Sequence, residues 1–151
     1  MREFILPILL LAGLAGCAAT TSKPENYGSF VTGTSPANQK AVVDDVMKRL
    51  MTTYPPAHTR LNLQHPTADA FGAALVASMR TKGYALGEYK AQAAPAPAGA
   101  TAAVTFAYVF DQPAGTDLHR VTLLVNNQSL SRVYETKDGV ITPAGYWVRK
   151  E

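Results

Sequence analysis

Residues 104–110 read Val104-Thr105-Phe106-Ala107-Tyr108-Val109-Phe110. Val104, Phe106, Tyr108 and Phe110 alternate with Thr105, Ala107 and Val109. Successive side chains of a strand point to opposite faces, so this period of two predicts a strand that turns an aromatic face to a core. The chain after it continues in the same way. Leu118 to Val125 predicts a strand, Asn126-Asn127 a turn, Leu130 to Thr136 a further strand, and Lys137-Asp138-Gly139 another turn. Pro143-Ala144-Gly145 then leads into a last short strand, Tyr146 to Arg149.

Before residue 91 the period is mainly that of a helix. Val42/Val43, Val46/Met47, Leu50/Met51 and Tyr54 recur at helical spacing and define one apolar stripe. Ser35-Pro36 supplies a cap and a first-turn proline, and Pro55-Pro56 a stop. Asp44 and Asp45 precede Lys48 and Arg49, the order the helix dipole favours. His58 to Leu63 predicts a short strand with Leu61 and Leu63 on one face. A second helix is expected from a Thr67 cap to Lys82, closed by Gly83. Phe71, Leu75 and Met79 point inward there, and Gly72, Ala73 and Ala74 leave it slim enough to pack closely on a sheet. Tyr84 to Leu86 predicts one more strand. Two helices and five or six short strands make an α+β fold, with the helices packed on a small, mostly antiparallel sheet.

The folded domain is expected over 35–151, interrupted at 91–100 by AQAAPAPAGA, which offers no core-forming side chain larger than alanine. Pieces of about 50 residues on either side of it make poor independent cores, which argues for one domain. Residues 17–34 are small, polar and punctuated by Gly and Pro, and predict a tether. Tyr27, Phe30 and Val31 interrupt that tether as an apolar patch. They are either incidental linker residues or a segment that orders on a partner's sheet edge or groove.

The first residues, MREFILPILLLAGLAGCAAT, join Arg2 to an apolar run from Phe4 to Leu14 and then to small residues, the layout of a secretory signal. Phe4 to Ala19 is shorter than the roughly 18 apolar residues of a membrane-crossing helix. Leu14-Ala15-Gly16-Cys17 resembles the bacterial lipobox at all four positions, and Cys17 is the only cysteine. That resemblance implies a signal peptide over 1–16, cleavage after Gly16, and a diacylglyceryl group with a further acyl chain such as palmitate on Cys17. Two or three chains anchor a protein permanently where one binds only marginally. Ala18 stands where an aspartate is associated with inner-membrane retention, which implies the outer membrane, with the domain in the periplasm.

Composition narrows the chemistry. The chain has 151 residues, 47% hydrophobic and 17% charged, which suits one globular domain. A net charge of +3 and a pI near 9.1 are too slight to argue for nucleic acid, and the basic residues are scattered without a recognisable binding motif. One cysteine excludes an internal disulfide framework and multi-cysteine metal centres. His58 and His65 lie across a strand and Pro66 with no nearby carboxylate pattern, so no metal is expected. Phosphate loops, dinucleotide-binding glycines and serine-nucleophile elbows are absent from the sequence. Asp111 and Asp117 near His119 predict a loop ion pair or plain solvation rather than a catalytic dyad. No catalytic residue, cofactor or enzymatic activity is therefore expected.

The stretch LHRVTLLVNNQSLSRVYETKDGVITPAGYWVRKE, together with the lipobox and the Ala/Pro loop, resembles the TrbH family, small lipoproteins of conjugative plasmid transfer and related type IV secretion clusters. Its most telling pieces are Leu130-Ser131-Arg132-Val133-Tyr134 and Pro143-Ala144-Gly145-Tyr146-Trp147. The resemblance implies a non-enzymatic role in mating-pair formation at the outer-membrane end of the channel. Its implied partners are outer-membrane channel subunits of the secretion system and, in a ring, further copies of the chain. Some lipoproteins of such channels carry a small domain similar to the N-terminal periplasmic domain of secretins, and the helix–strand order here is compatible with it. Tyr27, Phe30 and Val31 are candidate docking residues, and Tyr146 and Trp147 are either surface anchors or core. The alternative function is a free-standing periplasmic lipoprotein that binds cell wall or a small ligand.

Overall fold

A computed structural model describes residues 26–91 and 103–151. The signal stretch, Cys17 and most of the Ala/Pro segment lie outside the described residues. The elements run β1 (Gly28–Ser29), α1 (Pro36–Thr53), a single 3-10 turn (Pro56–His58), β2 (Arg60–Leu63), α2 (Ala70–Thr81), β3 (Ala85–Gly87), β4 (Val104–Asp111), β5 (His119–Val125), β6 (Gln128–Lys137), β7 (Val140–Pro143) and β8 (Val148–Lys150). This is the expected α+β architecture, two helices on an eight-stranded sheet that is mostly antiparallel.

At its centre β4, β5 and β6 form an antiparallel meander. Asn126, in the left-handed region at φ 52°, turns β5 into β6, and Asp138-Gly139, at φ 50° and 77°, turns β6 into β7. The two outer edges of this meander are each shared by two short strands. β2 and β1 lie end to end along β4, both parallel to it, and β3 extends the sheet beyond β2. β7 and β8 lie end to end along β6, both antiparallel to it.

One face of the sheet is the core. Phe106, Tyr108 and Phe110 of β4, Val121, Leu123 and Val125 of β5, and Leu130 and Tyr134 of β6 are buried against Val42, Val43, Val46, Met47 and Leu50 of α1 and Phe71, Leu75 and Met79 of α2. The period-two and helical stripes therefore meet as the sequence predicts, except that Met51 turns to solvent at the margin of its stripe.

Five local readings are corrected. The cap of α2 is Asp69, whose Oδ1 accepts from the Gly72 N–H at 2.7 Å, so the helix starts beyond Thr67. The same carboxylate accepts the Tyr108 hydroxyl. Of the three small residues on α2 only Gly72 is buried, and an added Cβ there would strike the Tyr108 hydroxyl; Ala73 and Ala74 face solvent. Val140–Pro143 is a strand that its shortness and terminal proline concealed, and the last strand begins at Val148 rather than Tyr146. Gly28 and Ser29, in the stretch read as tether, add to the edge of β4.

Candidate functional site

The two sequence pieces 130–134 and 143–147 are neighbours in space. Tyr134 pairs with Pro143 and Ser131 with Val148. β6 takes three steps between those pairs while the opposite chain takes five, so two extra residues are accommodated at Ala144–Trp147. An insertion of this kind bends an edge strand and re-aims its side chains. Here it throws Tyr146 into solvent at 91% exposure and turns Trp147 back onto the core. Val148, just beyond, is 64% exposed.

An ionic cluster beneath the bulge holds its shape. Arg132 falls between Leu130 and Tyr134 on the inward side of β6, under α1. Its guanidinium donates to both Asp45 carboxylate oxygens at 2.9 Å and, through Nε, to the Gly145 carbonyl at 2.8 Å. The Tyr134 hydroxyl donates to Asp45 Oδ2 at 2.8 Å. The Ala144 N–H donates to the Val133 carbonyl at 3.0 Å. Burial, and then the bond to Asp45, push the Tyr134 hydroxyl pKa well above its usual value. α1, β6 and the bulge are thus joined at one point, and Tyr146 projects from a braced backbone.

Tyr27, Phe30 and Val31 sit at the opposite edge of the sheet, on β1 and its flanks. The Phe30 N–H donates to the Phe110 carbonyl at 2.8 Å. The Tyr27 ring lies 5.5 Å from that of His65, which in turn meets Tyr108 edge-on at 4.6 Å. Val31 packs against the core. Phe30 alone of the three is strongly exposed, at 55%. Two patches therefore emerge rather than one site: Phe30 beside β4, and Tyr146 with Val148 beside β6. The period-two signal at Tyr27–Val31 is too short to have been read as a strand. The bulge could have been suspected from Pro143-Ala144-Gly145 within a strand-like run.

The residues considered for other chemistry are largely engaged. Asp111 binds Arg120 through Nε at 3.1 Å and through a terminal nitrogen at 2.6 Å, and raises the guanidinium pKa. The His65 Nδ1 lies 2.8 Å from the Pro66 carbonyl, and the ring is buried. Asp117 and His119 line an open recess of about 400 Å³ with Ser35, Asn38 and Thr136. The His119 ring packs 6.0 Å from Phe110, and its Nδ1 is shielded without a hydrogen-bond partner. Among the described residues no three His, Cys, Asp or Glu side chains gather as a metal site. No helix among them is long and apolar enough to cross a membrane.

A family model described as conjugal transfer protein TrbH matches residues 23–151. No curated protein and no solved structure gives a significant match.

Proposed function

The chain belongs to the TrbH family of conjugal transfer proteins, and from that premise we propose that it is a structural lipoprotein of a conjugative type IV secretion channel. Lipid on Cys17 anchors it in the outer membrane, the domain stands in the periplasm, and its work is to help assemble the mating-pair-formation complex rather than to catalyse a reaction. The observation that carries this reading is the position of Leu14-Ala15-Gly16-Cys17, a few residues before the family match begins at Lys23. Buried acyl chains contribute about 0.8 kcal/mol per CH₂, so two or three of them hold the chain on the membrane while it assembles. Outer-membrane channel subunits are the partners, and contacts between copies in a ring are a further expectation. Phe30 and Tyr146 are exposed aromatic side chains suited to such contacts.

The test is a mild-detergent pull-down from a host expressing its transfer genes, with mass spectrometry of the recovered proteins. The tag is placed within 91–100, away from the C-terminal strand. Outer-membrane secretion subunits are expected to co-purify. Cys17→Ser is expected to leave the outer-membrane fraction, lose those subunits and depress mating frequency. Recovery of the chain alone from such a host would overturn the channel reading and favour a free-standing binding lipoprotein.

A further inference from the structure

β8 is paired on one side only. Its residues bond to β6 through Ser129–Ser131, and no strand among the described residues covers its other edge. An open edge presents unpaired N–H and C=O groups and invites another chain to pair. Two of the other end strands, β7 and β3, differ. The outer side of β7 is closed by α1: the Ile141 N–H donates to Asn38 Oδ1 at 3.2 Å, and Asn38 Nδ2 donates to the Gly139 carbonyl at 2.9 Å. β3 carries no exposed large apolar side chain, whereas Tyr146 and Val148 stand at the entrance to β8.

The charge along β8 selects what can add to it. Arg149 and Lys150 follow Val148, all three exposed. Val148 and Lys150 share the face of Ser131 and Ser129, and Arg149 shares that of Leu130. An added strand thus meets a positive charge on each face. A second copy pairing antiparallel through its own β8 would bring these cations together, and like charges directly opposed are destabilising. Arg149 has one charged partner, Glu151, at 3.1 Å, with both side chains well exposed. Exposed pairs of this kind contribute little and are readily exchanged.

We propose that β8 is an acceptor strand for an extended, acidic segment of another protein. The segment pairs its backbone with β8, sets adjacent Asp or Glu residues against Arg149 and Lys150, and lays an apolar side chain over Val148 and Tyr146. Backbone pairing supplies affinity and the side chains supply selectivity. This deepens the assembly reading above and rests on it for where the partner is sought.

The experiment places the photocrosslinking residue p-benzoylphenylalanine at Tyr146 of the full-length chain in donor cells, and maps the crosslinked peptide by mass spectrometry. The expected adduct is a segment of another protein with adjacent acidic residues beside an apolar one. Arg149→Glu with Lys150→Glu is expected to cut its yield about tenfold, turning two attractions into repulsions, with an unchanged thermal midpoint. Lysines in place of the acidic residues of the mapped segment are expected to restore the yield with the reversed chain. Adducts only to a second copy, to lipid or to a segment without acidic residues would overturn the proposal, as would no adduct or indifference to charge reversal. Co-purification in the pull-down is read separately. Its retention with failed crosslinking refutes strand addition alone, whereas its loss from the unaltered chain refutes channel membership.

Discussion

Asp45 and Asp69 perform the same task at two places. Each lies on or at the start of a helix and accepts a tyrosine hydroxyl from the sheet: Tyr134 for α1 and Tyr108 for α2. A third hydroxyl, Tyr84, donates to the Tyr54 carbonyl just beyond α1 at 2.7 Å. Burial raises the pKa of all three, aided at Tyr108 and Tyr134 by the carboxylate, and Tyr84 is pushed up to about 12. Their unfolded value is near 10, so above that pH the unfolded chain releases protons that the folded chain keeps. The stability they contribute is fully present below pH 10 and is lost as pH rises towards and beyond 12. Urea titrations at pH 8 and pH 11 should show a lower midpoint at the higher pH. Replacing Tyr108 and Tyr134 together by Phe should flatten that dependence, and an undiminished slope would contradict this origin. Little of this cluster is legible beforehand. Asp45 reads in the sequence only as one of two acidic residues preceding Lys48 and Arg49 on a helix, and its partners are distant along the chain.

At the scale of an element, α2 reaches the sheet through one glycine. Gly72 lies directly under the Tyr108 hydroxyl, which is bound by the Asp69 cap of the same helix. Helix propensity alone favours Gly72→Ala by up to about 1 kcal/mol. The added methyl must displace the hydroxyl or lift the helix, and overpacking of this kind typically costs about 1–3 kcal/mol. The expected outcome of thermal denaturation is a lower midpoint for Gly72→Ala. Gly72→Ala with Tyr108→Phe should recover part of the loss, since the nearest clashing atom, the hydroxyl oxygen, is gone. A midpoint above that of the unaltered chain would mean that the contact yields easily. The helical and alternating stripes were legible because each repeats over several turns or residues. Strands β1 and β7 were not, because two to four residues beside glycine or proline carry too short a period to read.

For the molecule as a whole, one core joins both helices and the three central strands. Trp147, the only tryptophan, packs against that core from the bulge near the chain's last strand. Folding should therefore be a single cooperative event. Urea titrations followed by tryptophan fluorescence and by far-ultraviolet circular dichroism are expected to coincide. Separate midpoints would show the β6–β8 edge opening before the rest. The two candidate contact patches lie on opposite edges of this one body, at Phe30 beside β4 and at Tyr146 beside β6. One chain thus has the geometry to touch two neighbours at once, with the sheet as the rigid spacer between them.

By itself the sequence determined the helix stripes, the period-two strands, the tight turns and hence the fold class, together with the kinship carried by Leu130–Tyr134 and Pro143–Trp147. Those signals are local, and each is expressed by residues within a few positions of one another. Tertiary structure alone decided that these two stretches lie side by side, that Arg132 ties the bulge to α1, and that Tyr146 faces outward while Trp147 faces inward. It also decided that Gly28 and Ser29 join the sheet. Asp45 and Arg132 are 87 residues apart, so their contact depends on how the core packs α1 over β6, which no local period encodes.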